Sequence, residues 1–157
     1  MQSTLLLSDY AYRKLVALTK AYPKVENGGC LYGRVNPTKT FISDISDAGP
    51  NAHRTYGNIL LDLEYLNKIT AEMIEQDLFL LGTWHSHPSE SPLSPSSTDI
   101  ETMKMITTYF EKLFQPVFCI TNVTNEHFNY RFFRIYQGVA STVPLRCIDI
   151  GSDDFGR

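Results

Sequence analysis

Apolar residues recur along this chain in two rhythms, one helical and one extended. In DYAYRKLVALTKAY, Ala11, Leu15, Leu18 and Tyr22 fall on one helical face. Ser8 stands where an N-cap belongs and Pro23 stops the run, so a helix over 9–22 is predicted. GGCLYGRV (28–35) reads as a strand ended by the Asn36-Pro37 turn, and TKTFISDIS (38–46) as its hairpin partner. The stretch 47–58 is polar and reads as a loop, followed by a short strand at 59–61. Asp62 can cap a second helix with Leu66, Ile69 and Met73 inward. LFLLGTWH (78–85) is almost continuously apolar, the signature of a buried central strand. A third helix is predicted over 97–113, with Asp99, Met103, Ile106, Phe110 and Leu113 on one face. Strands over 116–123, 127–137 and 141–150 follow. In the second of these, Phe128, Tyr130 and Phe132 alternate with polar residues. The order α, β, β, β, α, β, α, β, β, β implies an α/β (mixed α+β) fold with a mixed β-sheet flanked by helices. It forms one domain over 1–150, with a polar tail at 151–157.

Composition narrows the classes. The chain has 157 residues, 43% hydrophobic and 20% charged, enough for one globular core. A net charge of −3 gives no basic footprint for nucleic acid or an anionic membrane. No apolar run is long enough to span a bilayer, and MQSTLLLSDYAYRK has no basic lead of a secretory signal. Cys30, Cys119 and Cys147 are odd in number and widely spaced, which predicts buried thiols and a cytoplasmic protein.

The chemistry concentrates in GTWHSHPSESPLSPSSTD, residues 82–99. His85 and His87 are two apart, so on a strand both imidazoles share a face and can bind one transition ion. Alone, the same pattern is also met as two ordinary histidines beside a turn. Asp99 heads the inward stripe of the third helix, where an apolar residue is the default, and a buried carboxylate is costly unless paired or metal-bound. Its ordinary role would be to cap the helix or meet its dipole. Two nitrogens and one oxygen leave a tetrahedral zinc ion its fourth position for water, as catalytic sites require. The helical HExxH arrangement is absent. Trp84 reads as core or backing, and Pro88, Pro92 and Pro95 as stiffeners of the loop.

HSHP followed by PSSTD resembles the motif of the JAMM (JAB/MPN) zinc metalloproteases, HxH followed by SxxD. The loop here, Pro88 to Pro95, is one residue longer than the family spacing. The family also carries a glutamate upstream in E-x-x-G-x-L-x-G, and Glu26, Gly29, Leu31 and Gly33 match its fixed positions. The resemblance spans about residues 5–136 and implies a JAMM/MPN-like, cytidine-deaminase-like fold. It implies that His85, His87 and Asp99 hold one Zn²⁺ with water as fourth ligand, that Glu26 is the general base and that Ser96 donates to the oxyanion. The choice of Glu26 over Glu64, Glu72 or Glu90 comes from the resemblance alone.

The family's reaction implies hydrolysis after the C-terminal glycine of a ubiquitin-like protein, or release of a protein conjugated by such chemistry. The stand-alone chain is similar to prokaryotic members encoded beside E1-like and E2-like enzymes in antiviral (CBASS-type) operons. There they reverse conjugation of a target such as a cGAS-type nucleotidyltransferase. Processing of a sulfur-carrier protein in cysteine or thiamine biosynthesis is the alternative enzymatic expectation. A non-catalytic scaffold of the same fold and a DNA-associated protein are the other classes. The complete ligand set argues against the first and the acidic charge against the second. The 47–58 loop, with Arg54 and Tyr56, and the 88–95 loop are candidate walls of the substrate channel.

Overall fold

A computed structural model describes residues 3–148; the side chains of Cys147 and Ile148, the end of the predicted last strand and the polar tail lie outside the described residues. The elements are β1 (Thr4–Ser8), α1 (Asp9–Lys20), β2 (Gly28–Val35), β3 (Lys39–Ile45), β4 (His53–Arg54), β5 (Ile59–Leu60) and α2 (Leu63–Glu75). Then come β6 (Phe79–Ser86), α3 (Ser97–Phe110), β7 (Val117–Thr124), β8 (His127–Tyr136), β9 (Val139–Val143) and β10 (Leu145–Ile148). The predicted mixed sheet flanked by helices is present.

Eight strands form one mixed sheet in the order β10-β1-β3-β2-β6-β7-β8-β9, while β4 and β5 pair separately. Only Pro144 separates β9 from β10, although they occupy opposite ends of that order. The sheet therefore curls until its two edges meet, and the missing N–H of Pro144 marks the seam. Arg134 on β8 spans the interior near this closure. Its Nη atoms donate to the Ser3 carbonyl (3.2 Å) and to the hydroxyls of Ser3 and Thr40 (both 3.1 Å).

Strand alternation divides the core into layers. Leu5, Leu7, Leu31, Ile42, Trp84 and Cys119 face one side and pack with Ala11 and Leu15 of α1. On the other side, Cys30 and Tyr32 pack with Leu66 of α2, and Phe118, Ile120 and Phe133 pack with Met103 of α3. One helix thus packs on one face of the sheet and two cover the other. The caps read from the sequence form. Ser8 Oγ accepts from the Ala11 N–H (3.0 Å), and the Asp62 carboxylate from the Tyr65 N–H (3.2 Å). Such caps contribute about 1 kcal/mol each.

The strand arrangement explains two glycines of the upstream motif. A Cβ on Gly29 would lie 2.2 Å from the Ser46 carbonyl oxygen, and one on Gly33 would lie 1.7 Å from that of Phe41. The β2–β3 ladder shifts register between Tyr32 and Gly33, pressing the two backbones together there.

Several elements differ from expectation. β1 is a strand, with Leu5–Leu7 buried between β3 and β10. Five residues beside a strong helix pattern carry too short a signal to be seen alone. β4 lies inside the predicted polar loop. The last predicted strand is two, split at Pro144. α1 ends at Lys20, so Tyr22 lies beyond it and Thr19 takes the buried place. α3 ends at Phe110, which leaves Leu113 76% exposed instead of inward, while Phe114 packs against the core. Among the described residues no helix is long and apolar enough to cross a membrane. Cys30 and Cys119 are buried free thiols.

Candidate metal centre

The site forms where β2 begins and β6 ends. Alternation along β6 buries Trp84 and Ser86 and leaves the side chains of His85 and His87 15% and 10% exposed. Ser86 then fastens the two strands beyond their ladder. Its Oγ accepts from the Asn27 N–H (2.9 Å), and its own N–H donates to the Asn27 carbonyl (2.8 Å). Glu26 is held on its other side by an N–H bond to the Thr55 carbonyl beside β4 (2.8 Å). Glu26 is 7% exposed and lines the same cavity as His85 and Asp99.

The third candidate ligand comes from the start of α3. Ser96 is the N-cap, and its Oγ accepts from the Asp99 N–H (3.0 Å) while the Ser96 N–H donates to Asp99 Oδ2 (2.8 Å). This reciprocal capping box fixes the carboxylate. The same Oδ2 faces the imidazoles, so capping and ligation are compatible roles of one side chain.

The donor atoms form a nearly equilateral triangle. His85 Nε2 and His87 Nε2 are 3.1 Å apart, and Asp99 Oδ2 lies 3.2 Å from the first and 3.3 Å from the second. Ligands at ordinary zinc distances on a tetrahedron are separated by about 3.3–3.4 Å. The triangle is therefore close to one face of such a tetrahedron without further movement. The His87 Nδ1–H donates to the Pro92 carbonyl (2.6 Å), which leaves the Nε2 lone pair for the triangle. Neutral imidazoles and a carboxylate are a donor set suited to Zn²⁺.

Electrostatics agree with this geometry. Burial raises the Glu26 carboxyl above its ordinary range and Asp99 adds to this, against the opposing pull of His85 and His87. Burial also acts on Asp99, but hydrogen bonds from His85 and His87 outweigh it and hold that carboxyl far below the usual range. For His87 burial favours the neutral ring, yet the bonds to Asp99 and Pro92 leave it raised. Two carboxyls in one site are thus driven apart, Asp99 toward permanent charge and Glu26 toward proton exchange.

Beside the triangle lies a cavity of about 150 Å³, walled by Ile59, Leu61, Met103, Ile106 and Phe118. Of the candidate wall residues, Arg54 stacks 4.0 Å over the Tyr22 ring and donates to Asn27, whereas Tyr56 is exposed. Trp84 is buried and its Nε1–H donates to the Ser46 carbonyl (2.9 Å), a backing role. The 88–95 loop contains a turn. Ser91 N–H bonds the Pro88 carbonyl (3.0 Å), and Glu90 adopts φ 70°. Left-handed backbone at a non-glycine costs about 1–2 kcal/mol. The Glu90 N–H bond to Val123 (3.0 Å) and its carboxylate bond to the Asn125 N–H (2.8 Å) offset it.

All five residues singled out in the sequence come together here. The locking role of Ser86 and the carbonyls of Thr55 and Pro92 emerge only in the structure. Ser86 could have been found from alternation, because the middle residue of HSH must point opposite to both histidines. Backbone carbonyls leave no such mark.

This arrangement, two histidines closing a strand and an aspartate opening the next helix of a mixed sheet, defines a JAB-type domain. Residues 8–136, most of the chain, match the family described as prokaryotic homologs of the JAB domain, and the chain belongs to it. That family is related to the JAMM metalloproteases. The solution structure of protein DSY2949 from Desulfitobacterium hafniense is similar with a TM-score of 0.75 over 94% of each chain; at 15% identity it shares the fold. No curated protein matches the sequence.

Proposed function

We propose that this chain is a zinc-dependent peptidase or isopeptidase that hydrolyses the bond after the C-terminal glycine of a ubiquitin-like protein. The observation that carries the reading is the 3.1–3.3 Å triangle of His85, His87 and Asp99 with buried Glu26 in the same cavity. A zinc ion held by the triangle would polarise the scissile carbonyl and make water acidic enough to attack at neutral pH.

The chain's own groups do the rest. The Glu26 carboxylate accepts a proton from the attacking water and delivers it to the leaving amine, a task suited to a carboxyl whose pKa is raised. Ser96 Oγ accepts from the Asp99 N–H, which leaves its hydroxyl hydrogen free to donate to the carbonyl oxygen as negative charge builds there. Asp99 stays ionised and the His87 tautomer stays set.

The favoured substrate is a protein joined to its target by a bacterial E1/E2 system, as in antiviral operons; a sulfur-carrier precursor requires the same chemistry. Zinc-loaded protein is assayed against glycine-ended ubiquitin-like fusions, isopeptide conjugates and carrier fusions. Cleavage after glycine that is lost in Glu26→Ala supports the proposal, and the preferred fusion distinguishes deconjugation from carrier processing. A zinc-loaded protein that cleaves none of them contradicts it and leaves a binding scaffold.

A further inference from the structure

The His87 tautomer depends on one carbonyl, Pro92, in a loop with no secondary structure of its own. Something must hold that loop. The residue before Pro92 provides the answer: Asn122 Nδ2 donates to the Ser91 carbonyl at 2.5 Å. Asn122 sits on β7 and is 3% exposed. Its directly paired residue across the β7–β8 ladder is Asn129. Asn129 Nδ2 donates to Asn122 Oδ1 (3.1 Å) and is itself oriented by the Thr124 hydroxyl (2.8 Å) and the His127 carbonyl (3.1 Å).

This chain of donors leaves no choice of orientation. The Ser91 carbonyl can only accept, so the Asn122 atom facing it must be the amide nitrogen. The Asn122 oxygen then needs a donor, and Asn129 supplies it. The direction runs from Asn129 through Asn122 to Ser91, one residue from the carbonyl that receives the His87 Nδ1–H. The backbone follows the same path, with the His87 N–H on the Thr121 carbonyl and the Glu90 N–H on that of Val123.

We propose that Asn122 is a positioning residue for the metal centre. Oriented by Asn129, it straps the 88–95 loop to β7 so that the Pro92 carbonyl holds His87 with its Nε2 lone pair toward the triangle. The inference rests on the metal-site reading above. It assigns Asn122 no contact with substrate or ion. It explains why two asparagines, Asn122 buried and Asn129 partly buried, pair across the strands where β-branched or aromatic residues are the usual occupants.

The test is Asn122→Asp. Aspartate has the same shape and still accepts from Asn129, but it cannot donate to Ser91. Zinc affinity is measured by chelator competition. The His87 tautomer is read at saturating zinc from ring ¹⁵N shifts, and the folded state from thermal unfolding. Tyr32→Phe, which removes the distant bond to Thr70, serves as a destabilised control. The expected result is zinc affinity about 10–100-fold weaker, a loss of the single Nδ1–H tautomer, and a control that binds as wild type. Wild-type affinity and tautomer in folded Asn122→Asp would overturn the strap alone, as would equal weakening in the control. A wild-type protein that takes up no zinc would overturn the strap and the site reading together. If Asn122→Asp does not fold, Asn129→Ala, which removes the orienting donor from the partly buried side, takes its place: weaker zinc binding with a mixed tautomer supports the strap, and wild-type behaviour overturns it.

Discussion

Gly28 faces His85 directly across the β2–β6 ladder. That single register sets Glu26 beside two candidate ligands that lie far from it in the chain. The Ser86–Asn27 bonds then keep the strands together past the end of the ladder. The site is a consequence of strand pairing, and its parts separate by mutation.

Glu26→Gln and Glu26→Ala should keep zinc and lose turnover. General-base removal costs about 10²–10⁴-fold in rate. Metal content and kcat on the same preparations check this. An active Glu26→Ala would show that another group moves the proton.

Glu26 and Asp99 should affect metal-free stability with opposite signs. Burial raises the Glu26 carboxyl, so its favourable contribution is complete below the unfolded pKa and is lost as pH rises through the folded value. Glu26→Gln should therefore raise the apoprotein Tm at neutral pH, with the gain vanishing on acidification. Asp99, held low by the histidine bonds despite its burial, contributes above the unfolded pKa and loses that as pH falls through its folded value. Asp99→Asn should lower the Tm at neutral pH, and the difference should shrink on acidification. Unfolding curves across pH, with chelator present, decide both.

Ser96→Ala separates capping from chemistry. Loss of the N-cap should cost about 0.5–2 kcal/mol, and turnover should fall further because the proposed oxyanion donor is gone. Zinc affinity should change less than in any ligand variant. Denaturant unfolding and single-turnover rates measure the two effects independently.

Ser86→Ala should destabilise the chain by about 1–3 kcal/mol, because the buried Asn27 N–H loses its acceptor. Turnover should fall with Glu26 less firmly held, while His85 and His87 remain. Unfolding and kcat together check it.

The candidate ligand positions were legible because each is encoded locally. HSH needs only strand alternation, and Ser96 with Asp99 needs only the rules of a helix start. The choice of Glu26 was not local: it depends on which strand lies beside β6, and only the family resemblance supplied it. Gly29 and Gly33 became physically intelligible once the carbonyls of Ser46 and Phe41 were seen against them. β1 escaped because three leucines give no period. The closure at Pro144 escaped because pairing of β10 with β1 joins the two ends of the chain. Asn122 escaped for the same reason: its partner Ser91 is 31 residues away and contributes a carbonyl.

The central claim is that one divalent ion is held by His85, His87 and Asp99 with a position left open. X-ray absorption at the zinc edge on reconstituted protein tests it most directly. One zinc per chain is expected, in a four-coordinate nitrogen and oxygen shell at about 2.0–2.1 Å, lost when His85 and His87 are both replaced by alanine. Zinc bound equally well by that double variant, or a shell containing sulfur, would contradict it.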